Sequence, residues 1–186
     1  MSSPPIIPGN PHIQELGYVI PEFFITVEQS QPNTIFNPNQ QGQVSKTDGA
    51  IEFITYVSFN IPSIASFAGA TTNSKCFLVP LPDTVDANGS KTIEIFDLLP
   101  GETLPTSMTF NDRLNPNNEL SSVTFGGAMG LDPMSMENFV EATPNFGGLQ
   151  QFQVRCQGDD GLITFTLSPV DPHPKGMALV IGNIVS

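Results

Sequence analysis

The sequence predicts an all-β protein, an antiparallel β-sandwich of about eight or nine short strands with at most one short helix. Three observations lead there. Apolar residues recur at every second position in several brief runs, the period of a strand with one buried face. Between the runs lie Pro, Gly, Asn and Asp, the residue types that turns demand, with 18 prolines and 16 glycines in 186 residues. Only one stretch carries helix-start chemistry. A strand with a single apolar face must bury it against another layer, so many such strands stack as two sheets.

Taken in order, residues 1–17 hold Pro4, Pro5, Pro8 and Pro11, which remove backbone donors and favour extended, solvated chain. The expectation is a flexible proline-rich arm over 1–17 and one β-sandwich domain over 18–186. Phe23, Ile25 and Val27 alternate with Glu22, Phe24, Thr26 and Glu28 as a strand with one wetter face. Residues 31–43 read as a turn-rich connection. The strongest strand is Ala50 to Ile61, with Ile51, Phe53, Val57 and Phe59 on one face and Glu52, Tyr56 and Ser58 on the other. Pro62 ends it.

A loop through Gly69 leads to a strand from Lys75, then a turn over Asp83 to Ser90 and a short strand from Thr92 to Phe96. Residues 100–120 show little periodicity and read as a long exposed loop, followed by a strand from Ser121 to Phe125. Asp132-Pro133 pairs an N-cap with a first-turn proline, so a short helix is expected there, ahead of Phe139 and Val140. Gln150–Cys156, Leu162–Leu167 and Met177–Ile181 are three strands, the first two joined as a hairpin by Gly158-Asp159-Asp160-Gly161.

Charge is sparse and lopsided: 18 acids against 6 bases, a net charge of −12. Phosphate backbones need Lys and Arg to release counterions, so nucleic acid is excluded as a partner, and anionic membranes are poor ones. No apolar run is long enough to span a bilayer as a helix. Residues 1–17 hold no apolar stretch of the kind a leader carries, so secretion would require one that has been removed. Asn88-Gly89-Ser90 matches the acceptor sequon, so Asn88 is a candidate for N-glycosylation if the chain is secreted.

The two cysteines, Cys76 and Cys156, fit no Cys-x-x-Cys redox or zinc spacing. A disulfide, two buried thiols and a reactive pair are the readings open to them. His12 lies in the proline-rich arm and His173 follows Asp171 in Asp171-Pro172-His173-Pro174, a solvated turn rather than a catalytic pair. Neither a Gly-x-Ser-x-Gly elbow nor a His-Glu-x-x-His helix occurs. Glu22 with Glu28, or Glu52 with Glu94, are the carboxylate pairs that glycosidase chemistry could use. Asp83 with Asp86 and Asp159-Asp160 are turn acids without the EF-hand pattern. No catalytic residue, metal or cofactor is therefore expected. Stacking platforms for sugars come from Trp and Tyr, and the chain has no Trp and only Tyr18 and Tyr56. Asn and Gln in 31–43 and 111–118 could bind sugar by hydrogen bonds. Met129, Met134, Met136 and Phe139 make a soft apolar cluster.

Several pieces recur in a distinctive order. A strand ends Phe59-Asn60-Ile61-Pro62, Gly69 follows, and then Cys76-Phe77-Leu78-Val79-Pro80-Leu81-Pro82. Phe152-Gln153-Val154-Arg155-Cys156, the strand Leu162 to Leu167 and an apolar finish through Leu179 and Ile181 complete it. In this order, over roughly residues 18–184, the chain resembles the fungal But-two (ubiquitin-three-binding protein) C-terminal domain family. The stretch from Met108 to Phe146 departs from the family in being richer in Asn, Gly and Met. The resemblance implies a β-sandwich of fungal origin, secretion or cell-wall association, a disulfide between Cys76 and Cys156, and no established catalytic activity. The expected function is thus non-enzymatic, structural or adhesive. The alternative is a carbohydrate-binding module. Expected partners are a cell-wall polysaccharide or another surface protein.

Overall fold

Strand β4 (Ala50–Asn60), the longest among the described residues, organises the fold because both its edges are taken. The computed structural model describes residues 12–85, 88–99, 102–125, 139–167 and 176–185. On one edge, β2 (Phe23–Glu28) pairs antiparallel, with Ile25 opposite Tyr56. The other edge is shared by β3 (Gln41–Thr47) and β10 (Leu149–Cys156), which meet Ala50–Phe53 and Thr55–Asn60 respectively. β7 (Thr92–Leu98) then pairs with β10, and β8 (Pro116–Thr124) with β7; on the far side β11 (Gly161–Thr166) pairs with β3, and the two-residue β6 (Thr84–Val85) with β11. These eight strands form one sheet. The second sheet has the order β1 (Ile13–Val19), β12 (Gly176–Ile184), β5 (Lys75–Leu81) and β9 (Val140–Ala142). All pairings are antiparallel, so the expected sandwich class holds.

The inter-sheet core follows strand parity. Val57, Phe59, Phe152, Val154, Ile93, Ile95, Ile163 and Phe165 of the large sheet face Cys76, Leu78, Met177, Leu179 and Ile181 of the small one. Phe59 and Phe152 meet edge to face at 6.1 Å between centroids, the geometry that aligns ring edge with ring face.

Both sheets also bury part of their outer faces, and this changes several expectations. On the large sheet Ile25, Val27, Ile54 and Tyr56 lie beneath Leu104, Met108 and Phe110, all buried. The segment expected to be an exposed loop over 100–120 is therefore a lid-like layer over 102–115 followed by strand β8. An isolated bridge between Phe36 and Met108 ties that layer to the connection before β3. The face of β4 expected to be wet is dry: Tyr56 and Ser58 are fully buried. Likewise β2 sends Phe24, assigned to the wetter face, into the inter-sheet core. On the small sheet Phe77, Val79, Ala178 and Val180 are buried on the outer face, with Ile13, Leu81 and Phe139 against them. Continuous apolar runs such as Cys76-Phe77-Leu78-Val79 are the pattern of strands covered on both sides.

Three connections also differ. The chain enters the small sheet already at Ile13, paired with Ile184, so β1 takes residues assigned to the flexible arm. Asp48 and Gly49 adopt positive φ (50° and 76°) and close β3 to β4 as a two-residue hairpin, the twist-matched turn that Asp-Gly favours. The expected hairpin at 158–161 does not form. β3 occupies the edge of β4 beyond β10, so the chain leaves β10, turns, and returns as β11 on the far side of β3. Gly49 N donates to the Asp159 carbonyl at 2.7 Å and Asp48 N to Asp160 Oδ1 at 2.8 Å, docking one turn on the other. Of the expected helix, residues 132–138 lie outside the described residues, while Val140 begins β9.

Truncating the covering layer should unfold more than a loop. Leu104→Ala and Met108→Ala each leave a cavity under buried chain and should cost about 2–5 kcal/mol by urea titration. A loss near zero for both would contradict a packed layer.

Candidate functional site

Residues near the start of β10 and the end of β7 enclose an open groove of about 500 Å³. Leu98, Leu99 and Leu149 supply aliphatic wall; Asp97, Glu102, Thr103, Thr143, Asn145 and Gln150 supply polar groups. β7 delivers Asp97, whose carboxylate accepts from Asn118 N at 2.6 Å and Asn117 Nδ2 at 3.3 Å. Asn145 donates from its backbone to Gln150 Oε1 at 3.1 Å and from Nδ2 to the Leu149 carbonyl at 3.0 Å, fixing the rim. At the floor, Gln151 is spent on structure: its Oε1 accepts from Leu104 N at 3.1 Å and its Nε2 donates to Ser58 Oγ at 3.1 Å. Glu102 keeps one buried carboxylate oxygen without a donor.

From this floor a polar column runs along β10, because Gln151, Gln153 and Arg155 alternate with Phe152, Val154 and Cys156. Tyr56 is its hub. The hydroxyl donates to the Leu114 carbonyl at 2.6 Å and accepts from Gln153 Nε2 at 2.5 Å, while that Nε2 also reaches Leu114 at 3.1 Å. Burial pushes the phenol up to about 12, against the opposing pull of the Gln153 hydrogen bond and of Arg113 and Arg155. Beside it, Gln153 Oε1 and Arg155 Nε are buried without partners. Burial lowers the Arg155 pKa from its ordinary value, helped by Arg113 and opposed by Tyr56 and Glu94.

The disulfide expected between Cys76 and Cys156 is absent: both are buried free thiols. They join the same core cluster from opposite sheets but turn to different neighbours. Cys76 Sγ donates to the Ala142 carbonyl on β9 at 3.3 Å, and Cys156 Sγ approaches the Gln157 carbonyl at 3.6 Å. Gly161 is required beside Cys156, since a Cβ there would stand 2.7 Å from the Ser90 carbonyl and 2.9 Å from Sγ. Burial pushes the Cys76 thiol up to about 12 and also raises that of Cys156. Such thiols stay protonated and unreactive.

The remaining candidates separate. Asn88 is exposed in the turn before β7. Asp86, Asp171, His173, Met129, Met134 and Met136 lie outside the described residues, and Phe139 packs edge to face on Phe77 at 5.3 Å. Glu52 and Glu94 sit on strands separated by β10. Glu28 and Glu52 instead share a shallow open groove of about 310 Å³, where Glu28 accepts from Gln31 Nε2 at 2.6 Å and Glu52 from Ser45 Oγ at 2.9 Å. The amides proposed for sugar contact are partly spent on each other: Asn111 Nδ2 donates to Asn33 Oδ1 at 2.8 Å. Among the described residues no three His, Cys, Asp or Glu side chains converge as a metal site, and no helix is long and apolar enough to cross a membrane. Glu102 and Asn145 were not legible as site residues, because their meeting depends on which loops flank the β7–β10 pair.

Fold and grooves define an all-β sandwich with a covered central sheet. Compared with known families and curated proteins, the chain matches none.

Two outcomes test the buried groups. The native chain should resist thiol reagents, and unfolding without reductant should release two titratable thiols; a chain that yields none would refute the free-thiol state. Unfolded tyrosine ionises near 10.0 and native Tyr56 at about 12. Above the lower value the unfolded chain therefore holds fewer protons, and stability falls as pH rises through that window. Cys76, raised from 9.0 to about 12, acts in the same sense. Tyr56→Phe should flatten the alkaline decline in unfolding midpoint.

Proposed function

We propose that this chain is a non-enzymatic protein, secreted or wall-associated, with a structural or adhesive role of the kind the fungal But-two C-terminal domain resemblance implies. What supports the reading is the investment in a sealed scaffold: β2 and β4 are covered on both faces by apolar side chains, and the polar column beneath the cover is spent on fastening it through Leu104 N and the Leu114 carbonyl. Such a molecule meets partners through its rims, turns and outer strands. Asn88, exposed in a turn, suits a glycan. Secretion rests on that sequon and the resemblance, not on a disulfide.

A second reading, a carbohydrate-binding module, is favoured by the groove at the β7–β10 end. Its volume falls in the ~300–1,000 Å³ range of small-ligand sites. Acids, amides and hydroxyls there offer both donors and acceptors to sugar hydroxyls, and the leucines offer surface to sugar C–H groups.

Pull-downs on chitin, β-glucan and isolated fungal wall separate the two. Retention by whole wall without retention by any purified polysaccharide supports the structural role. Retention by one polysaccharide, weakened in Asn145→Ala, supports the module. No retention on any of the three sinks both.

A further inference from the structure

The chain has only two arginines, Arg113 and Arg155, and the fold brings both within electrostatic reach of each other and of Tyr56. Arg113 precedes Leu114, whose carbonyl Tyr56 and Gln153 hold, and Arg155 lies two residues beyond Gln153 on the same face of β10. Each guanidinium is laid over a ring: Arg113 at 4.0 Å from the Phe110 centroid and Arg155 at 5.0 Å from that of Phe96. Arg113 Nη1 is anchored on the Phe110 carbonyl at 2.6 Å. Both side chains are half-buried, with part of each still reaching solvent.

Among the described residues neither has a carboxylate within ion-pair distance. Among the described residues the ion pair is Lys75 with Glu141, on the other sheet. Glu94 stands opposite Arg155 across the ladder, yet the guanidinium leans over Phe96 instead. Drawing two cations together costs energy unless an anion sits between them. Stacking on rings holds a guanidinium plane in place; with Arg113 Nη1 spent on the Phe110 carbonyl and Arg155 Nε buried, the remaining Nη donors are what a ligand meets. A planar carboxylate matches that fork with two parallel hydrogen bonds. A surface of net charge −12 repels multiply charged anions more than a single charge.

We infer that Arg113 and Arg155, splayed over Phe110 and Phe96, form a binding site for a carboxylate, free or carried by an acidic saccharide. It is independent of the groove at the other end of the column.

With two arginines in the chain, a proton–nitrogen spectrum holds two guanidinium Nε signals, one for each. The full chain is titrated at constant ionic strength with acetate, with galacturonate and with galactose. Both signals should shift saturably with galacturonate and stay still with galactose. An equal response to acetate assigns the site to free carboxylates, and a tighter response to galacturonate assigns it to acidic saccharides. Arg113→Gln should weaken binding roughly tenfold, the loss of one charge-assisted hydrogen bond. Arg113→Lys, which keeps charge but not the fork, should weaken it too, and backbone amide signals report whether each variant is folded. Signals that do not move with either acid, that move equally with galactose, or that move for one arginine alone overturn the proposal.

Discussion

The molecule depends on one constraint: β2 and β4, in the middle of its large sheet, carry apolar side chains on both faces, so they need a cover on each. The small sheet supplies one cover through Cys76, Leu78, Met177, Leu179 and Ile181. Residues 102–115 supply the other through Leu104, Met108 and Phe110. Because the second cover is loop rather than sheet, its backbone groups need partners that a ladder would otherwise give. Gln151 and Gln153 answer that need, taking Leu104 N and the Leu114 carbonyl. The buried polar column is thus the fastening of the loop layer, and Tyr56 is its centre.

Polar groups left over at the ends of that fastening are where ligands could enter. One end opens as a groove with Glu102, Asn145 and Gln150; the other carries two stacked guanidinium groups. Both ends follow from the same cause. A loop can satisfy the middle of a strand's polar row more completely than the positions where it arrives and departs.

The thiols show how burial overrides composition. Two cysteines in a turn-rich chain read readily as a bridge, yet each lies within a core strand and donates to a nearby carbonyl. With the Cys76 thiol pushed up to about 12, it behaves as a small apolar side chain.

Local pattern alone determined the strand content, the antiparallel sandwich and most of the inter-sheet core. Alternation at Val57, Phe59, Phe152 and Val154 is a property of single strands and needs no partner to be read. The acidic balance, which disfavours nucleic acid, was equally local. Only tertiary structure decided which polar faces were wet. Gln153 and Tyr56 look like solvent-facing residues until the layer over 102–115 lands on them. It also decided that β3 would occupy the edge beside β10 and turn an apparent hairpin into a detour, and that Arg113 and Arg155 would come to the same end of the polar column. Each of these depends on contacts between segments remote in sequence, and no periodicity within one segment encodes what will cover it.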